Sequence, residues 1–139
     1  MAQLARQALK NPEFVRFAGS LGNMSAADSW VRAHFNYRDE YEEIVRSPDF
    51  MLADMGRVDA IGRVVQLEGD CDDVSTFYAA VALVLGKRAR FVAIRYRAEN
   101  PNFEHVFAQV YDGVQWLVYD ATVKPGTRIE SIEEMTEDV

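Results

Sequence analysis

The stretch that decides the fold is Asp70-Cys71-Asp72-Asp73-Val74-Ser75-Thr76-Phe77-Tyr78-Ala79-Ala80-Val81-Ala82-Leu83-Val84-Leu85-Gly86. Apolar side chains recur at 74, 77, 78, 81, 82 and 85, the spacing of one helix face. Asp70 is a natural N-cap, Asp72 and Asp73 complement the positive end of the helix dipole, and Gly86 stops the run. The helix is apolar enough to be central, and it carries Cys71 in its first turn.

Downstream of Gly86 the period changes from 3.6 to 2. Residues 90 to 97, 104 to 111 and 114 to 120 are rich in Val, Ile, Phe, Tyr and Trp and read as antiparallel strands. Asp112-Gly113 is a two-residue hairpin signal between the second and third strands. With that turn Tyr111 faces Val114, and His105 faces Asp120 on the same side of the sheet. A one-residue slip would put imidazole and carboxylate on opposite faces. Trp116 and Tyr111 share that side, as groove lining or as cross-strand packing. Lys124-Pro125-Gly126 turns the chain again, and the acidic tail from Ile129 to Val139 reads as a short helix or a frayed end.

Upstream, residues 3 to 10 and 12 to 19 suit short helices, broken by Pro12 and by Gly19, Gly22 and Asn23. A firmer helix starts near Ser25, where Ser25 to Asp28 resembles a capping box and Trp30, Val31, His34 and Phe35 share adjoining faces. Residues 37 to 46 fit an irregular segment or a short helix or strand. Ser47 and Pro48 open a two-turn helix that Gly56 stops. Residues 57 to 69 form a connector. The whole is an α+β domain over 1 to 139, with its core at about 25 to 125.

Composition narrows the function. The chain has 139 residues, 49% of them hydrophobic, and a formal net charge of -7. A chain of this size buries a real core without metal or disulfide staples. An acidic surface repels phosphate backbones, and the basic clusters Lys87, Arg88, Arg90 and Arg95, Arg97 are short, so nucleic acid is not the expected partner. One cysteine excludes an intramolecular disulfide, and with two histidines it leaves almost no room for the usual four-ligand Cys/His zinc site. No cofactor or metal is expected. No stretch approaches the roughly 20 apolar residues of a membrane span, and the N-terminal residues lack a secretory pattern, so a cytoplasmic protein is expected.

These pieces point to a nucleophilic Cys71, His105, Asp120 set. A free thiol titrates near pH 8.5, so a nucleophilic cysteine needs stabilised negative charge, which a helix N-terminus and a protonated histidine supply. Asp70, Asp72 and Asp73 oppose that charge unless their carboxylates turn to backbone donors or basic side chains. Most free cysteines are small buried hydrophobes, but Cys71 lies off the apolar face, between acidic residues after Gly69. The Cys71 N–H is one oxyanion donor, and Gln66 is a candidate for the second. His34 and Trp30 read as core or boundary residues and stay outside the set.

With these residues in place, the sequence resembles the transglutaminase-like superfamily of papain-like cysteine enzymes, in its small bacterial and phage-type form. The resemblance spans about residues 25 to 125. It rests on Gly69-Asp70-Cys71-Asp72-Asp73, Leu85-Gly86 with Ala89-Arg90-Phe91-Val92, Glu104-His105-Val106-Phe107, and Trp116-Leu117-Val118-Tyr119-Asp120-Ala121-Thr122. Proline commonly follows the family's aspartate, where Ala121 stands here, and no calcium-loop pattern occurs. The resemblance implies that Cys71 attacks an amide or thioester carbonyl of a protein or peptide, His105 handles the proton and Asp120 orients the ring. Water as acceptor gives a peptidase or amidase, and an amine gives acyl transfer. Similar stand-alone domains are associated with phage. The competing class is a scaffold or binding module, for instance in phage assembly, that keeps the fold without turnover.

Overall fold

The computed structural model describes residues 1–39 and 44–139. Three helices come first: α1 (Ala2–Ala8), α2 (Pro12–Leu21) and α3 (Met24–His34). The Asn11 side chain accepts from the Glu13 and Phe14 N–H groups with Pro12 at the first helical position, so α2 is capped as its sequence asks. For α3 the cap is Asn23, which accepts from the Ala26 N–H at 2.8 Å, and the helix begins at Met24. The helix thus starts near Ser25 as expected, but its cap is Asn23 rather than the Ser25 capping box. Gly22, at φ 81°, takes the left-handed turn that separates α2 from α3.

Next come β1 (Phe35–Tyr37), α4 (Pro48–Asp54) and β2 (Leu67–Gly69). The ambiguous segment from residue 37 thus starts at a strand end, and its residues 40 to 43 lie outside the described residues. The expected connector at 57 to 69 ends in a strand: β2 pairs in parallel with β1, Tyr37 opposite Gly69. A buried Glu68 anchors it, held by Arg63 and by Arg38 at 2.9 Å. The Arg63 hydrogen bond is the main reason its carboxyl is held down to about 2.

Helix α5 (Cys71–Val84) follows at once, and it is buried on every side from Asp73 to Ala82. One flank packs against α1, whose Ala2, Ala5 and Ala8 allow close approach. The other lies on the sheet formed by β3 (Ala89–Arg95), β4 (His105–Tyr111), β5 (Trp116–Tyr119) and β6 (Glu133–Asp138). The sheet order is β5-β4-β3-β6, with all neighbours antiparallel. Phe77, fully buried, meets Phe14 edge-on at 5.7 Å and stacks on Trp30 at 6.0 Å. Burying one such side chain contributes about 2 to 3 kcal/mol. The architecture is α+β, a central helix laid on an antiparallel sheet. Among the described residues, no helix is long and apolar enough to cross a membrane.

Two expectations fail in the sheet. The β4–β5 hairpin is longer than a two-residue turn, because the Asp112 carboxylate accepts from the N–H groups of Val114 and Gln115, each at 2.8 Å. Tyr111 therefore pairs with Trp116, and the register moves by two residues from the expected one. An even shift keeps every side chain on its face, so His105 and Asp120 still meet, diagonally. The acidic tail is neither helix nor frayed end: β6 pairs with β3 from Arg90 opposite Asp138 to Arg95 opposite Glu133.

Candidate active site

Cys71 opens α5, and the cap fixes it there. Asp70 accepts from the Asp72 and Asp73 N–H groups, while Asp73 accepts in return from the Asp70 N–H at 3.0 Å. The other Asp73 oxygen accepts from the Arg46 N–H at 2.6 Å. Burial pushes the Asp73 carboxyl up to about 6, although both backbone hydrogen bonds oppose the rise. Gly69 is required by this packing, since a Cβ at that position would collide with the Asp73 side chain. Two of the three neighbouring carboxylates thus turn to backbone donors. The third, Asp72, keeps one oxygen 4.0 Å from the sulfur.

His105 begins β4, and its Nε2 lies 2.6 Å from Asp120 Oδ2. That leaves Nδ1 as the ring nitrogen without a carboxylate partner, and Cys71 is near enough to the ring to favour its protonated form. Burial alone would lower the imidazole's affinity for its proton. The hydrogen bond and negative charge of Asp120, with the nearby Cys71 acting in the same direction, outweigh it and raise His105 to about 9. Asp120 is itself buried, which disfavours its charge. Hydrogen bonds from His105 and from Thr122, whose N–H and Oγ1 lie at 3.0 and 2.6 Å, prevail and hold the carboxyl below its usual range.

The segment carrying Asp120 is fixed by a residue not singled out from sequence. Arg32, on α3, donates to the Asp120 carbonyl at 2.8 Å and to the Val123 carbonyl at 2.6 Å. Its Nε is held by Asp28 at 3.0 Å, and Asp28 accepts from the Tyr78 hydroxyl at 2.5 Å. Tyr78 is buried in the middle of α5. The helix bearing the sulfur and the loop bearing the carboxylate are therefore tied through α3. The i, i+4 spacing of Asp28 and Arg32 was readable in the sequence, but its reach across 88 positions to Asp120 was not.

Beside Cys71 and His105 opens a cavity of about 330 Å³. Its apolar lining includes Phe91, Ala93, Phe103, Val106 and Met135. Tyr37, half-exposed at the end of β1, lies within electrostatic reach of Cys71 and donates to Asp39 at 3.0 Å. Burial, then Asp39, then the charges of Cys71 and Asp70 push its hydroxyl up to about 12.

Other expectations fall elsewhere. Gln66 lines a separate cavity with Arg38, Arg63 and Glu68, so the thiol's cavity does not contain it. Tyr111 and Trp116 pack across the far end of the hairpin at 5.4 Å, with Arg88 and Arg90 over the indole, and do not line the groove. His34 stacks on Trp30 at 4.4 Å and contacts the Trp30 carbonyl at 2.7 Å, the boundary role expected of it. Among the described residues, no group of three or more His, Cys, Asp or Glu side chains converges to hold a metal ion.

The family model of the transglutaminase-like superfamily matches residues 18–121. The chain belongs to the transglutaminase-like superfamily. That match spans α3, β2, α5 and the first strands of the sheet, and it contains all three residues of the Cys71, His105, Asp120 set. A crystal structure from Cytophaga hutchinsonii, named as a candidate cysteine protease, superposes with a TM-score of 0.59 at 19% sequence identity. The superposition covers 79% of this chain and 37% of that one, so the present chain spans well under half the length of that relative. At this identity the likeness is one of fold. No curated protein is significantly similar in sequence. The short parallel pair of β1 and β2 leads the chain into the α5 N-terminus.

Proposed function

We propose that this transglutaminase-like protein is a cysteine-nucleophile hydrolase or acyltransferase acting on peptide or amide bonds of protein substrates. The observation that supports the reading is the His105–Asp120 hydrogen bond at 2.6 Å, with Cys71 near enough to the ring to favour its protonated form. A protonated His105 is the counter-charge a thiolate requires, and Asp120 holds the ring in the matching orientation.

The thiolate attacks the carbonyl carbon, forming the S–C bond while the oxygen takes negative charge. The N–H groups of Asp72 and Asp73 are taken by the Asp70 cap, so the Cys71 N–H, which has no intrahelical acceptor, is the first-turn donor left to stabilise that oxygen. His105 gives its proton to the leaving nitrogen, the C–N bond breaks, and an acyl-thioester on Cys71 remains. Neutral His105 then takes a proton from water or from a primary amine as either attacks, and the thiolate leaves.

The test is to trap the acyl-enzyme from an activated peptide ester and follow its decay by intact mass. An adduct on Cys71 is expected, absent in Cys71→Ala, with faster decay in added primary amine for a transferase and equal decay for a hydrolase. Turnover that persists in Cys71→Ala would remove the mechanism.

A further inference from the structure

The floor of the thiol's cavity is one face of three adjacent strands. Ala93 of β3 lies between Val106 of β4 and Met135 of β6, and Phe91 lies between Ala108 and Glu137. Side chains two apart on a strand share a face, so Met135 and Glu137 stand on the floor beneath the α5 N-terminus. The tail strand β6 therefore belongs to the site. Asp70 and Asp72 form the wall at the helix end, and Glu104 stands at the rim beside His105.

The charge of this lining is one-sided. No lysine or arginine belongs to it, and its cationic groups are confined to His105 and the terminal amine of Met1, against the carboxylates of Asp70, Asp72, Glu104 and Glu137. Glu104 is committed to Arg97 and to the N–H groups of Tyr96 and Arg97. Glu137 makes no ion pair among the described residues and stands exposed on β6. Below it the surface is aliphatic and aromatic. An aliphatic stem with a cationic head matches both halves of such a lining, and the volume is at the low end of ligand cavities, roughly 300 Å³. It has room for one side chain.

We propose that this cavity takes a lysine or arginine side chain of the acyl-donor substrate, its stem on Phe91, Val106 and Met135 and its head group at Glu137 and the carboxylates of the α5 N-terminus. The proposal rests on the reading of Cys71 as nucleophile, and it names the substrate class: basic peptides.

Three peptidyl acyloxymethyl ketones, identical except for Lys, Leu or Glu beside the electrophile, test it through the rate at which intact mass records modification of Cys71. The lysine probe is expected to react faster than the glutamate probe by about fivefold or more, the factor that roughly 1 kcal/mol of ion pairing gives. High salt should shrink the advantage, and Glu137→Lys should reverse the order. A leucine or glutamate probe as fast as the lysine probe, or an order unchanged by Glu137→Lys, would overturn the proposal. Failure of the underlying reading looks different: iodoacetamide, which has no side chain to place, would then alkylate wild type and His105→Ala at the same rate.

Discussion

At the scale of single residues, the unusual feature is a histidine that keeps its proton. His105 rises to about 9 although burial works against it, because Asp120 and Cys71 both favour the imidazolium. Replacing the sulfur removes one of these contributions and leaves the other. In Cys71→Ala the His105 ring is therefore expected to titrate lower than in wild type, and in Asp120→Asn lower again, because burial then acts with less opposition. Imidazole resonances followed by NMR across pH check this. An unchanged titration in Cys71→Ala would mean that the sulfur does not act on the ring.

At the scale of elements, the site depends on how α5 and the Asp120 loop are tied together. Arg32→Ala removes two hydrogen bonds to backbone carbonyls and leaves Asp28 without its cation, a cost of roughly 2 to 3 kcal/mol. Beyond lowering Tm, it should loosen Asp120 and so lower the His105 titration, an effect that a purely structural residue would not have. Gly69→Ala forces a Cβ into the Asp73 side chain and disturbs the cap that orients Cys71. An overpacking loss of about 1 to 3 kcal/mol is expected from denaturant unfolding.

These elements also show where sequence reading succeeds and where it stops. Helix α5 was legible because three local signals agree: the Asp70 cap, the apolar spacing and Gly86. The pairing of His105 with Asp120 was legible because face parity survives an error of two in register. The register itself was missed because the Asp112 side chain, rather than the Asp112-Gly113 backbone alone, closes the turn. Strand β6 was missed because Glu133 to Asp138 carries almost no apolar alternation. Its conformation comes from the free edge of β3, a partner some forty positions away. The Arg32 tie likewise joins residues that no local pattern relates.

At the scale of the whole molecule, the charged pair couples the site to stability. The folded-state value for His105 lies above the unfolded one, about 9 against 6.5, so its contribution is complete below pH 6.5 and is lost as pH rises through 9. The difference corresponds to ~3 kcal/mol. Wild type is expected to exceed His105→Gln in unfolding free energy by the largest margin near pH 6, with the margin fading by pH 10 as judged by urea denaturation. A margin independent of pH would mean that the ring is neutral in the folded protein.

The most direct measurement of the central claim is the alkylation rate of Cys71 by iodoacetamide at pH 6.5 in wild type and in His105→Ala. An imidazolium-paired sulfur should react about tenfold or more faster than the same sulfur without its histidine. Equal rates in the two proteins would contradict the account.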